Sequence, residues 1–453
     1  MLEREENSNN SIYEKIATLT DEKIRISNFK SDGEIILNNN QTLIENFLST
    51  FSEDMSDKQL FMVIFKNSFY GILGKIVISL ADSVTTSFLG YLSGDKLYPY
   101  FIGCLIQNVG FRGVGFGLLN PVSILCSQAF GLKNMKNFGR VINQGRIVGL
   151  TFSFVCLLFC FTCKPIISST FGEKDVDLIQ VFLLHNIPTF FFTFQILIQL
   201  MYFNSQNQYF YPAILDSFSL LSHFIIFLIF FNVFKDYSME SPRNTLILTA
   251  WCINLNSIFH FIMYIAFTYI KKLSPESNFC INKNTFKNFW TYIKITGQCV
   301  LFFISHFVAS EILSVMINNY NGDDKTSFNI NKIVNSYYFI FNKVPLGLSF
   351  FSTTVVGNLL TKNYFGLLRN LIRIIIIYSA VLALLIVAFT EVFANYLAYI
   401  YTNKEIVRDV IVFLRISILV LIPNNFEMLF QGIIAGYGKQ KVASIVSVVA
   451  TIG

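Results

Sequence analysis

Trp290-Thr-Tyr-Ile-Lys-Ile-Thr-Gly-Gln-Cys-Val-Leu-Phe-Phe-Ile-Ser-His306-Phe-Val-Ala-Ser-Glu311-Ile-Leu-Ser-Val-Met-Ile-Asn318 is the stretch that decides how the chain is read. As a helix rising about 1.5 Å per residue it is long enough to cross a bilayer, which takes about 20 residues. His306 and Glu311 lie deep inside it. An ionised carboxylate at the centre of a membrane costs about 3 kcal/mol on insertion scales, so such a residue faces water or a partner and marks an ion or substrate path by default. The plainer alternative is a structural Glu hydrogen-bonded to a neighbouring helix.

Similar runs occupy most of the chain. Of its 453 residues, 53% are hydrophobic and only 14% charged, against about 25% charged in soluble domains. The net charge of +6 fits basic loops at a membrane and gives no nucleic-acid surface. The fold class is therefore an all-α polytopic membrane protein. Ten complete transmembrane helices are expected near 60–90, 99–126, 142–164, 178–203, 210–234, 244–270, 288–318, 333–360, 368–392 and 408–436, with a partial eleventh beginning at Val442. Ahead of them, residues 1–58 form a polar N-terminal tail with an Asn-rich patch at Asn38 to Asn40 and no signal-peptide pattern.

Basic residues set the orientation. Lys133, Lys136, Arg140 and Arg146 follow span 2, Lys271, Lys272, Lys283 and Lys287 follow span 6, and Lys362, Arg369 and Arg373 follow span 8. The opposite loops carry one or two each, which puts the N-terminus in the cytosol. Lys133-Asn134 with Arg140 recurs 229 residues later as Lys362-Asn363 with Arg369. A two-halved plan follows, with a site between the halves. The halves are an N-terminal six-helix bundle at 59–270 and an incomplete C-terminal bundle at 288–453, joined by a cytosolic loop at 271–287.

Cys156, Cys160 and Cys163 share one helix face, read as small apolar packing, not a metal site. No nucleophile–base set, phosphate loop or metal spacing marks an enzyme.

Three stretches resemble the multidrug and toxic compound extrusion (MATE) family in its eukaryotic form. Ser127-Gln128-Ala129-Phe130-Gly131, with Gln144-Gly145-Arg146 after it, is similar to the family's Gly-Gln-Ala-x-Gly loop. Val344-Pro345-Leu346-Gly347-Leu348-Ser349, then Val355-Val356-Gly357-Asn358, resembles its Pro-x-Gly-x-Ser and Arg-Val-Gly-Asn. Gln431-Gly432 through Gly436-Tyr437-Gly438-Lys439-Gln440 resembles its Gly-rich segment ending in Gln, and Gly90-Tyr91-Leu92 its Gly-His-Leu-Gly. The resemblance covers residues 80–453 in order. It implies two pseudo-symmetric six-span bundles, the second incomplete here, and antiport of organic, often cationic, xenobiotic compounds against protons or Na+, with no cofactor beyond that gradient. Partners are then small organic substrates, the coupling ion and the bilayer. The rival readings are a lipid-linked saccharide flippase of the same broad fold, which would want a basic chamber where this one is expected to be acidic, and a truncated, non-transporting remnant.

Residue by residue, the family's paired acids in span 7 fall on His306 and Glu311, so a His stands where an acid is usual. The two differ by about 140° around a helix. The family's acid in span 10 falls on Asn424, and Glu427, one turn on, is expected to replace it. In span 1, Lys75, Ser79, Asp82 and Thr86 form a polar stripe. Asp82 lies three residues before the coupling Asp of some prokaryotic members and otherwise balances Lys75. Asp216 and Glu391 are weaker candidates, and His185, His223 and His260 are read as packing or hydrogen-bonding residues. Pro188, Pro345 and Pro423 are expected to kink or break their helices.

Overall fold

Prolines and one change of helical pitch divide a set of long apolar helices into the elements that carry charge. A computed structural model of the chain describes residues 55–92, 97–171, 175–271, 281, 283–321, 325–401, 407–442, 444, 445 and 447. The expected tail up to residue 54, most of the loop 271–287, the side chains of Gly90-Tyr91-Leu92 and most of the run after Val442 lie outside the described residues. In the first half, α1 is Asp57–Leu92. Span 2 is α2 (Leu97–Ile106), a π-helical turn at Gln107–Gly113, and α3 (Val114–Gly131). Then come α4 (Met135–Thr162), the short α5 (Lys164–Phe171), α6 (Val176–His185), α7 (Ile187–Ser205), α8 (Phe210–Val233), the short α9 (Lys235–Glu240) and α10 (Pro242–Lys271). After a 3-10 turn at Lys283–Phe286 follow α11 (Phe289–Asn321), α12 (Lys325–Thr361), α13 (Phe365–Tyr401), α14 (Val407–Leu419) and α15 (Leu421–Gly436).

Among the described residues, eight helices are long and apolar enough to cross a membrane, and each falls on an expected span. The expected seventh span is α11, which is 33 residues long. The expected tenth is not continuous: it divides at Val420 into 13-residue α14 and 16-residue α15. Proline has no N–H to offer the carbonyl four residues back. Pro423 thus withholds from the Leu419 carbonyl the donor four residues on, and Pro188 withholds it from Leu184, beside the break at Asn186 between α6 and α7. Pro345 lies within α12 without ending it.

Membrane immersion explains the surface. Ile377, Leu384, Leu385 and Val392 on α13, and Phe218, Leu221 and Ile229 on α8, are all more than half exposed. In water such faces would be a liability. In lipid they are the solvated side, because only helices that satisfy their own backbones survive there. Cys156, Cys160 and Cys163 are fully buried, as a packing face requires.

Helix α12 is the hub. It packs against α1, α3, α11, α13, α14 and α15, and so touches elements from both expected halves. Glycines allow the closest approaches: a Cβ on Gly347 would stand 2.8 Å from the Ile72 Cα of α1. The two basic turns also meet, since Gly131 lies against Asn358 and Thr361. Their left-handed residues are Lys133 (φ 56°) and Asn363 (φ 62°). The Lys-Asn echo in the sequence is therefore one residue out of step with the turns: the backbone needs a left-handed residue at the second turn position, and different members of the echo supply it.

Candidate functional site

The π-helical turn builds the site. A wider turn moves the helix face, and here Asn108 and Arg112 both line a cavity of about 270 Å³ between α1, α2, α11 and α12. Such turns are frequent at functional sites. Arg112 holds Asp82 of α1 in a two-pronged contact, Nη1 donating to Oδ2 at 3.1 Å and Nη2 to Oδ1 at 3.4 Å. Arg112 Nη1 also donates to Asn108 Oδ1 at 3.2 Å, and Asn108 Nδ2 donates to Glu311 Oε1 at 3.2 Å. The other oxygen of Glu311, Oε2, accepts from Lys332 Nζ of α12. One line of charge and hydrogen bonds, Asp82–Arg112–Asn108–Glu311–Lys332, thus joins four helices.

Its two ends differ in their access to water. Asp82 and Arg112 are 59% and 36% exposed at the side chain, whereas Glu311 and Lys332 are 2% and 7%. Burial costs both charges their hydration and only their mutual attraction offsets it, so removing either partner strands a charge in a dry site.

The same chamber reaches Asp216 of α8 and His260 of α10. Asp216 Oδ1 accepts from Tyr264 Oη at 2.9 Å and stands 3.0 Å from His260 Nε2. Lys75, buried in α1, sits 4.8 Å from the centre of the Phe350 ring and interacts electrostatically with Asp216. Phe116 stacks on Phe307 at 6.3 Å and lines the wall with it.

Several sequence expectations change here. Asp82 pairs with Arg112, not with Lys75, because the π turn of span 2 brings a guanidinium across to α1. The chamber is not acidic: its wall holds Asp82, Asp216 and Glu311 but also Arg112, Lys332 and Lys343. Neither Glu427 nor Asn424 is in that wall. Glu427 accepts from Ser447 Oγ at 3.1 Å, and Asn424 Nδ2 donates to Asn342 Oδ1 at 2.6 Å. The side chain of His306 lies outside the described residues. His185 bonds the Val181 carbonyl and His223 bonds Thr85 Oγ1, while Glu391 pairs with Arg415 at 3.3 Å on the exterior. Arg112, Lys332 and Lys343 were missed from sequence. For Arg112 and Lys343, both inside expected spans, the signal was present, since a base inside an apolar run is as costly as an acid.

The MatE family model matches residues 72–234 and 299–453, more than half of the chain and most of both sets of helices. The chain belongs to the MATE family. It is a multi-pass integral membrane protein. This MATE-family chain is 21% identical over 386 residues to multidrug and toxin extrusion protein 2 of Mus musculus, covering 84% of itself and 65% of that protein. It is 24% identical over 378 residues to Protein DETOXIFICATION 9 of Arabidopsis thaliana, covering 82% and 75%. The fold matches that of the eukaryotic MATE transporter AtDTX14 with a TM-score of 0.75, at 15% identity and over 86% of each chain. The chain thus spans 65% of the length of the mouse relative.

Proposed function

We propose that this MATE-family chain is an alternating-access antiporter that exports small organic compounds in exchange for protons, with Glu311 as the proton site. The observation that carries this reading is the Asp82–Arg112–Asn108–Glu311–Lys332 line, which runs between helices of the two expected bundles. The bundles are proposed at 59–270 and 288–453, with ten crossing segments and a cytosolic N-terminus. The two stretches matched by one family model support such a repeat.

The mechanism follows from charge. With Glu311 ionised, the Glu311–Lys332 pair is neutral to the chamber. A proton on Glu311 unmasks the Lys332 ammonium, which repels a cationic group on the cargo. Loss of the proton to the other side restores the pair and the affinity. A proton can drive the switch only through such differential binding. Asp82, in wetter surroundings, offers the cargo a second carboxylate. Glu427 and Asn424, outside the chamber wall, are proposed as helix-pairing groups of α15; His306 is proposed as a second proton-binding group on α11. The flippase reading wanted a basic chamber, and three acids facing three bases do not provide one.

The test is uptake into proteoliposomes driven by an acidic lumen, using benzyltrimethylammonium and the full chain. Wild type should concentrate the probe, whereas Glu311→Gln, at equal incorporation, should only equilibrate it. Gradient-driven accumulation that survives in Glu311→Gln would remove Glu311 from the mechanism.

A further inference from the structure

The three family-like stretches meet in one place, and it is not the chamber. The chamber wall takes Lys332, Ser336 and Lys343 from the first part of α12, and Phe116 from the start of α3. Asn358 lies about 22 Å further along α12 than Lys343. Around it, α12 closes on the far end of α3. A Cβ on Gly131 would stand 2.1 Å from Thr361 Oγ1 and 3.0 Å from the Asn358 carbonyl oxygen, and one on Gly357 would stand 3.3 Å from Ser127 Cβ. From α15, a Cβ on Gly436 would stand 2.7 Å from Val356 Cβ, and the Gly432 carbonyl accepts from Thr353 Oγ1 at 3.0 Å. The same helices thus bound a cavity at one end and meet in a tight seam at the other.

Asn358 is fully buried in that seam, and neither Oδ1 nor Nδ2 has a hydrogen-bond partner among the described residues. Neighbouring hydroxyls on α12 satisfy themselves locally: Thr353 Oγ1 donates to the Ser349 carbonyl at 3.0 Å and Thr361 Oγ1 to that of Gly357 at 3.2 Å. An amide buried without a partner costs free energy, which is recovered once water reaches it. Close glycine packing therefore favours the closed seam, and the Asn358 amide opposes it. We propose that Asn358 is a gating residue: its unmet amide keeps the seam between α3 and α12 from locking shut, and the seam parts to hydrate it. The transport reading supplies the use of this motion and places the seam on the cytosolic side; the opening itself does not depend on that reading.

The experiment puts a reporter thiol in the seam. Ser127 is fully buried, so labelling of Ser127→Cys by N-ethylmaleimide in the purified full chain, less that of the chain without the reporter, follows openings of the seam. Asn358→Leu removes the amide. Asn358→Thr replaces it with a hydroxyl that bonds back to its own helix, as those of Thr353 and Thr361 do. Each should slow labelling by about tenfold or more, whereas Asn358→Gln, which keeps an amide, should not. Asn358→Thr, the smaller change, decides the matter if Asn358→Leu fails to fold. Labelling as fast in Asn358→Thr as with Asn358 in place overturns the inference. So does equal slowing in Asn358→Gln, or a reporter that is never labelled. Uptake of benzyltrimethylammonium into proteoliposomes should slow in step with labelling. Slowed labelling in the variants, beside a wild type that takes up no probe, would leave the gate standing and remove the transport reading.

Discussion

Lys332 lies just ahead of the run read as span 8, where a lysine passes for a flanking charge. Glu311 was legible because an acid in an oily stretch stands out; its partner was not, because pairing across helices leaves no mark in one sequence. The buried pair makes a sharp prediction. Lys332→Gln strands a carboxylate and should cost about 3–5 kcal/mol, read as a fall in Tm in detergent. Adding Glu311→Gln should recover most of that loss, and a single variant as stable as wild type would show that the pair is not buried as described. Outside the membrane, burial and the neighbouring Lys133 bring the Lys362 ammonium down to about 8 from 10.5. Between these values the unfolded chain keeps the proton and the folded chain has lost it. Stability should therefore rise with pH across that window, and Lys362→Met should flatten the rise in pH-dependent melting.

At the scale of helices, the prolines told most of the story. Pro188 and Pro423 each lie a few residues beyond a break that the missing N–H explains. The π turn at Gln107–Gly113 was invisible, since one inserted residue per turn has no compositional signature, yet it aims Asn108 and Arg112 into the chamber. Without it, Asp82 and Lys75 read as natural partners along α1. Gly347 stood in the sequence only as part of the family-like run Val344-Pro345-Leu346-Gly347-Leu348-Ser349, and the structure sets it against α1. A methyl group on Gly347 would press on backbone, which cannot rotate away as a side chain can. Gly347→Ala should therefore separate α1 from α12 and cost about 1–3 kcal/mol. A Tm unchanged from wild type would contradict that packing.

For the whole molecule, class and span placement came from composition and run length, because a bilayer imposes both on any chain that crosses it. Charge balance in the chamber did not. The sequence drew attention to acids; folding brought Arg112, Lys332 and Lys343 to face them from helices far apart in the chain. The account therefore depends on a proton and a cargo excluding each other at one acid between the two sets of helices. Proteoliposomes clamped at zero potential, with benzyltrimethylammonium added outside and no imposed pH gradient, measure this directly through a pH dye in the lumen. Entry of the probe should drive protons out and make the lumen alkaline in wild type, with no change in Glu311→Gln. Probe entry with a constant lumen pH in wild type, or the same alkaline shift in the variant, would contradict the exchange.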